Sequence, residues 1–230
     1  MRLATFPSFR DCREINLMND CWPRESYNSH VLNKTALVLI GYQADYFSSY
    51  GILHQVVKES LEKGQVLENT KRVLDNVVES QALIISTPIV FSPDYSELHN
   101  PIGILRTISE VGAFKKGAPG SDVIPEIQEY GSRIQEVPGK CSLNAFHETS
   151  LDVVLGAKGI EHIVLMGVVT SVCIDSTARA ALDKGLKVTV LRDCTASRSP
   201  FEQDFYCDDI FPIFAMVKTA EEFISSLTIA

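Results

Sequence analysis

The sequence predicts an α/β fold in which a largely parallel sheet carries helices on both faces. Three observations lead to this prediction. Short apolar runs recur that are long enough for a buried strand and too short for a helix. Segments with helical spacing lie between several of these runs, and the two kinds of segment alternate along the 230-residue chain without internal repeats. In such a sheet, ligands bind beyond the carboxyl ends of the strands.

The first strand is predicted at residues 35–40, TALVLI, an almost continuous apolar run typical of a strand buried on both faces. The other strands are predicted at residues 82–91, 132–137, 162–166, 186–191 and 214–217. Helices are predicted at residues 66–78, 102–111, 149–155, 174–184 and 219–227, with another from about residue 201. Two long connections, residues 41–63 and 92–131, have weak patterns, and long loops in compact domains are often functional.

Composition limits the domain count and the class of ligand. Residues 1–34 are polar and aperiodic, so we expect an N-terminal arm followed by one domain over residues 35–230. The formal net charge of -8 argues against nucleic acid and against an anionic membrane as partners. No run of eighteen apolar residues occurs and the first residues lack a secretory signal, so a cytoplasmic protein is expected.

The six cysteines are scattered without a C-x-x-C pair, which favours free thiols in a reducing compartment over a disulfide framework. The five histidines show no metal-ligand spacing, and the segment after the first strand lacks the glycines of a dinucleotide fingerprint. A phosphate loop ending at Lys140 would need a glycine at Ile134 and a hydroxyl at Cys141. We therefore predict neither a metal nor a cofactor.

Cys173 is the residue with the clearest chemical position, because it lies where the turn after strand 162–166 enters a helix. Unpaired backbone N–H groups and the positive end of the helix dipole favour a thiolate there. The same amides could hold an oxyanion. Two interpretations are open on this stretch alone, a reactive thiol or one more small buried side chain.

Three segments taken together resemble a known family. They are TALVLIGYQADYF at 35–47, KCSLNAF at 140–146, and GVVTSVCIDSTARAALDKG at 167–185 leading to LRDC. In this order and with these separations they resemble the isochorismatase-like cysteine hydrolases, which include isochorismatases, nicotinamidases, and carbamoylsarcosine and ureidoacrylate amidohydrolases. The resemblance covers about residues 35–227. It implies a Rossmann-like three-layer sandwich with a mostly parallel six-stranded sheet, no cofactor, and assembly into a homo-oligomer, either a dimer or a tetramer.

By the same resemblance, Cys173 is the nucleophile and Lys140 its basic partner. A cis peptide between Val168 and Val169 is implied, which would direct the amides of Val169 and Cys173 into an oxyanion hole. Further residues are candidates for the substrate pocket, although core packing is an equal or safer assignment for several of them. They are Gln43, Phe47, Phe146, Val168 and Thr170.

Gly41 departs from the family pattern, in which an aspartate follows the first strand and acts as the acid/base of an Asp, Lys, Cys triad. A glycine can neither take the thiol proton nor return it to a departing amine. Three hypotheses follow: an enzyme whose acid was deliberately replaced, a natural pseudoenzyme that binds a small molecule or a protein, or an enzyme that uses another acid. Asp45 is the nearest carboxylate for the third, and a structural role suits it better.

These inferences predict a hydrolase that uses Cys173 to attack the carbonyl of a small molecule, with an amide or ureido C–N bond favoured over a C–O bond. The alternative is a binding module on the same fold. We expect Lys140 and Cys173 to share a cavity, with space beside Gly41 for a carboxylate, and the connections after the first and second strands to set specificity.

Overall fold

The structure is a computed structural model that describes residues 28–227. It contains one six-stranded sheet in the order β3-β2-β1-β4-β5-β6, and every neighbouring pair is parallel. The strands are Thr35–Ile40 (β1), Leu83–Thr87 (β2), Gln135–Glu136 (β3), His162–Val168 (β4), Lys187–Ala196 (β5) and Met216–Lys218 (β6). The predicted fold class, including six parallel strands, is confirmed. Most of the predicted arm, residues 1–27, lies outside the described residues.

Helices of different lengths connect the strands. The α-helices are Ser29–Leu32 (α1), Ala44–Phe47 (α2), His54–Gly64 (α3), Val66–Val77 (α4), Gly103–Val111 (α5), Pro125–Gln128 (α6), Leu151–Ala157 (α7), Asp175–Asp183 (α8), Pro200–Phe205 (α9) and Ala220–Ser226 (α10). Helix α3 was not predicted, because polar residues fill most of its sequence and only Val57 and Ser60 are buried in it. Within residues 28–227, no helix has the length and apolar character needed to span a membrane.

Strand β1 is central, and all six of its residues are buried. Alternate side chains point to opposite faces of the sheet, so Ala36, Val38 and Ile40 enter one apolar cluster while Leu37 and Leu39 enter the other. The two clusters form the layers between the sheet and its helices. A strand covered on both faces in this way explains the continuous apolar run in the sequence.

Several predicted strand ends differ from the structure. Strand β4 continues through Gly167 to Val168, although the glycine was expected to end it, and β5 extends to Ala196. Strand β2 ends at Thr87, and the residues after it make only isolated bridges, from Ile89 to Lys140 and from Phe91 to Lys115. Residues 88–91 are therefore apolar because several of them are buried, and not because β2 continues through them.

Gly167 allows the ends of β1 and β4 to approach each other closely. Its φ is +119°, and a Cβ atom at this position would lie 1.9 Å from the carbonyl oxygen of Ile40, its partner in the ladder. Only glycine fits this approach. The loops that follow β1 and β4 consequently start side by side.

Candidate active site

Lys140 and Cys173 meet at the carboxyl end of the sheet. The Lys140 Nζ atom lies 3.5 Å from the Cys173 Sγ atom, and the two side chains are 0% and 4% exposed, respectively. The Nζ atom also donates a hydrogen bond to the carbonyl oxygen of Ser142. No partner that positions the lysine could be identified from the sequence. In the structure, the Ser142 carbonyl oxygen is such a partner. Two residues 33 positions apart thus form a buried amine–thiol pair.

Cys173 is held in a turn of π-helix, Thr170–Ile174, between the end of β4 and the start of α8. Single π-turns of this kind occur frequently at functional sites. The peptide between Val168 and Val169, just before the turn, is cis, as the resemblance implied. Cys173 therefore lies at the entry to a helix, as its position in the sequence predicted.

Lys140 is positioned by the strand edge and by an amide side chain. The Ile89 backbone bridges to Lys140, and the Gln43 side chain clamps Ile89 by accepting from its N–H and donating to its carbonyl oxygen, both at 2.7 Å. Gln43 Nε2 also donates to the Ser121 carbonyl oxygen at 2.7 Å. Gln43 is fully buried in this network, so it connects the β1 end to the lysine segment and does not face a ligand.

A cavity of about 100 Å³ opens above the amine–thiol pair. Its lining comes from residues that follow β2, β3, β4 and β5 and from both long connections, which were predicted to set specificity. The lining residues are Tyr46, Leu53, Val56, Ile89, Phe91, Ile104, Leu105, Thr107, Ile108, Lys140, Ser142, Leu143, Val169, Val172, Cys173 and Arg198. No sequence motif predicted most of these wall residues, although Ile104, Leu105 and Ile108 have the i, i+1, i+4 spacing of an apolar helix face.

The expectation of empty space beside Gly41 is wrong. Gly41 has a φ of +73°, and a Cβ atom there would lie 2.9 Å from the Val168 carbonyl oxygen, 3.1 Å from a Val168 methyl group and 3.5 Å from the Tyr46 ring. A side chain at this position would require both an unfavourable backbone conformation and a shift of β4. The surroundings of residue 41 are therefore fitted to glycine.

Tyr46 occupies the place next to Gly41 and lines the cavity. Burial raises the pKa of its phenol well above the usual value, and negative charge on Cys173 or Asp45 raises it further. The ring also packs against Phe114, with centroids 5.1 Å apart. At neutral pH the cavity therefore has a neutral phenol on the side where the family pattern has a carboxylate.

Asp45 has a structural environment. Its two carboxylate oxygens accept hydrogen bonds from the backbone N–H groups of Phe114 at 2.6 Å and Ile52 at 3.2 Å. The residue is 2% exposed, and Gly120 packs against the carboxylate so closely that a Cβ atom there would lie 2.1 Å from it. Asp45 does not line the cavity, which agrees with the preferred interpretation of it as a structural carboxylate.

The other candidate pocket residues lie around the site and not in the cavity lining. Phe47 stacks on Tyr42 with ring centroids 4.9 Å apart, and the ammonium group of Lys184 lies 5.4 Å from the centre of the Phe146 ring. Val168 is buried in the core, and Thr170 donates a hydrogen bond to Gln203 at 2.7 Å. These four side chains are therefore engaged within the protein.

The other described cysteines are poorly suited to nucleophilic chemistry. Burial raises the pKa of the Cys141, Cys194 and Cys207 thiols, that of Cys207 to about 12. A raised pKa keeps a thiol protonated and therefore unreactive at neutral pH. Cys141 is half-buried and next to Lys140 in sequence, so it is a matched comparison for Cys173.

A larger open groove of about 480 Å³ lies between the segments around Ser86, Asp122 and Glu136. Its lining includes Lys116 and Asp122 but neither Lys140 nor Cys173. Because a site of reaction needs a nucleophile or an acid/base pair in mutual contact, the smaller cavity is the candidate active site despite its size.

A parallel six-stranded sheet, with a lysine and a cysteine brought together at its carboxyl end, matches the class of α/β cysteine hydrolases. Residues 35–222 match the isochorismatase domain family, and the chain belongs to the isochorismatase family of hydrolases.

Among curated relatives, the isochorismatase family protein YwoC of Bacillus subtilis is 28% identical over 198 residues, which cover 84% of this chain and 94% of YwoC. The ureidoacrylate amidohydrolase RutB of Yersinia enterocolitica is 26% identical over 206 residues, covering 84% and 89% of the two chains. A crystal structure of a cysteine hydrolase from Pseudomonas syringae has a TM-score of 0.75 with 23% identity, covering 84% of this chain and 92% of the other. This last similarity concerns the fold.

Proposed function

We propose that this protein hydrolyses the C–N bond of a small amide or ureido compound through a covalent intermediate on Cys173. The 3.5 Å contact between Lys140 Nζ and Cys173 Sγ at the base of a cavity carries the proposal. The similarity to a ureidoacrylate amidohydrolase supports the choice of bond.

In the proposed reaction, Lys140 carries the proton that the family's aspartate would carry. The Lys140 amine takes the thiol proton, and the thiolate attacks the carbonyl carbon. The amides of Val169 and Cys173, two residues of the cavity lining, hold the negative oxygen. The Lys140 ammonium then gives its proton to the leaving nitrogen as the C–N bond breaks, which leaves a thioester on Cys173.

Water completes the proposed cycle. It attacks the thioester carbonyl while Lys140 takes one of its protons, and the proton passes to Sγ as the C–S bond breaks and the acid leaves. One amine thus serves in both half-reactions. Without a carboxylate to share proton transfer, we expect turnover roughly 10²–10⁴-fold below that of a complete triad.

A non-catalytic binding function is the second candidate, because the backbone at Gly41 is fitted to glycine. This fit also argues against the hypothesis of a deliberately replaced acid, since an aspartate would need the Val168 carbonyl to move. A binding module would keep the cavity and the thiol without completing the cycle.

The two candidates are separated by assaying the chain with a panel of small amides and ureas, combined with intact-mass detection of an adduct. Hydrolysis or an acyl adduct that disappears in Cys173→Ala and persists in Cys141→Ser supports the hydrolase. Saturable binding with neither turnover nor adduct supports the binding module. Gly41→Asp is assayed in parallel, and we expect it not to raise activity, because its Cβ atom would lie 2.9 Å from the Val168 carbonyl oxygen.

A further inference from the structure

The lining of the Cys173 cavity is mostly apolar, so it is poorly matched to a polar substrate such as ureidoacrylate. Away from the amine–thiol pair, its walls are aliphatic and aromatic, and no Asp, Glu, Asn, Gln or His side chain is among its described residues. The walls are Leu53, Val56, Ile89, Phe91, Ile104, Leu105, Ile108, Leu143 and Val172.

The polar side chains at the cavity are largely engaged within the protein. Arg198 makes hydrogen bonds of 2.6–3.2 Å with the Glu202 carboxylate, Thr107 donates to the Gly103 carbonyl oxygen at 3.4 Å, and Ser142 donates to the Asn144 carbonyl oxygen at 3.1 Å. The Tyr46 phenol and the remaining N–H groups of Arg198 are the polar groups of the lining that these bonds leave over. A ligand with several polar groups beyond its reacting carbonyl would therefore find few matching partners, which disfavours its binding.

The cavity volume limits the size of the ligand. An apolar protein cavity of about 150 Å³ accepts benzene, which has six carbons. The cavity here measures about 100 Å³, which by proportion encloses about four non-hydrogen atoms, so only a short acyl chain fits among its apolar walls. Each methylene group transferred from water into apolar surroundings favours binding by about fourfold.

We propose that the substrates of this site are primary amides of short, branched aliphatic acids, which react with water to give the acid and ammonia. This inference rests on the proposed function and specifies its substrate class. Lys140 and the backbone amides near Cys173 meet the amide group, and the aliphatic walls meet the acyl chain.

The test measures how amides protect Cys173 from alkylation by iodoacetamide, with the Cys173 peptide quantified by mass spectrometry. Isovaleramide, malonamide and malonamate have the same number of heavy atoms and differ in the group beyond the reacting amide: isopropyl, carboxamide or carboxylate. We expect isovaleramide to protect at concentrations at least about tenfold lower than the other two, since its chain buries two or more additional apolar groups.

Two variants of helix α5 locate the effect. Ile104 lines the cavity and is 40% exposed, whereas Val111 on the same helix is 44% exposed and lies outside the lining. Ile104→Gln should weaken protection by isovaleramide by about threefold or more, and Val111→Gln should leave it unchanged. Thermal unfolding of both variants checks that the fold persists.

The outcomes separate the inference from the function on which it rests. Equal or better protection by malonamide or malonamate overturns the aliphatic assignment while the hydrolase proposal stands. Protection by isovaleramide that Ile104→Gln does not change also overturns it, because binding would then lie elsewhere. A Cys173 that iodoacetamide alkylates only in unfolded protein overturns the proposed function and the inference together.

Discussion

The buried contact between Lys140 and Cys173 places an amine and a thiol within reach of each other. Both groups are almost fully enclosed, and the cavity lining contains no carboxylate that could neutralise a lysine cation. An isolated buried charge is costly, so a proton transfer between these two groups, which leaves their summed charge unchanged, is favoured over a transfer that changes it.

Replacing Lys140 by methionine tests this pairing. Lys140→Met keeps the length of the side chain and removes the proton carrier, so we expect turnover to fall by roughly 10²–10⁴-fold and alkylation of Cys173 to slow. Stability should be equal or higher, because a buried polar group is replaced by an apolar one. Lys116→Met, at an exposed lysine, is the control; an equal fall in both variants would contradict the assignment.

Gly41 gives a prediction about stability. Gly41→Ala places a Cβ atom 2.9 Å from a backbone carbonyl oxygen at a φ of +73°, so we expect a loss of about 1–3 kcal/mol in the free energy of unfolding. Gly156→Ala makes the same change within α7, where a Cβ atom meets nothing within 4 Å, and should stabilise by about 0.5–1 kcal/mol. Urea denaturation measures both, and a neutral Gly41→Ala would refute the argument.

Hydrogen bonds between elements hold the first long connection against the second. Asp45, in helix α2, binds the N–H of Ile52 in its own connection and the N–H of Phe114 in the other. Both connections supply walls of the cavity. A carboxylate outside the cavity therefore determines how its walls meet.

Asp45→Asn separates this role from a catalytic one. One acceptor oxygen becomes an NH₂ group facing a backbone donor, so we expect a loss of about 1–3 kcal/mol in unfolding free energy. Alkylation of Cys173 in the folded protein should persist. The exposed Asp209→Asn should change neither quantity, and a variant at Asp45 that keeps its stability but loses all activity would revive the hypothesis that Asp45 is the acid.

The sheet was predictable from local patterns, and the strand ends placed Lys140 and Cys173 at the same edge of it. The pairing of the two side chains was implied by the resemblance to the family. The walls were not predictable in this way. They come from weakly patterned connections, and the role of Gln43 depends on a contact with Ile89, 46 residues away.

The environment of Gly41 was also beyond the sequence, since it depends on how closely the ends of β1 and β4 approach each other. The pattern showed that a carboxylate is missing but not that Val168 and Tyr46 occupy its place. Assembly into a dimer or tetramer stays a prediction, which light scattering would check against the 25.5 kDa mass of one chain.

The stability of the whole molecule should depend on the titration of Asp193. Burial raises the pKa of this carboxyl above its ordinary value of 3.8, although the Ala220 N–H donates to it. The folded protein therefore retains a proton that the unfolded chain releases, and stability falls as pH rises from the ordinary pKa through the raised one.

Asp193→Asn removes this dependence while its amide oxygen can still accept from Ala220. The difference in unfolding free energy between the variant and the parent should grow in favour of the variant as pH rises above about 4, then level off. Denaturant titrations across this range measure it, with the exposed Asp183→Asn as a comparison. A difference that stays constant with pH would show that Asp193 titrates alike in both states.

The close approach of β1 and β4 at Gly167 implies that substitutions are tolerated differently there and in the cavity lining. In a library of all substitutions, we expect position 167 to accept glycine alone, because any Cβ atom would meet the Ile40 carbonyl oxygen. Positions such as Ile104 should accept many residues. New selectivity could thus arise by substituting residues of the cavity lining one at a time. The contact of β1 and β4 at Gly167, which positions the loops of the site, would stay unchanged.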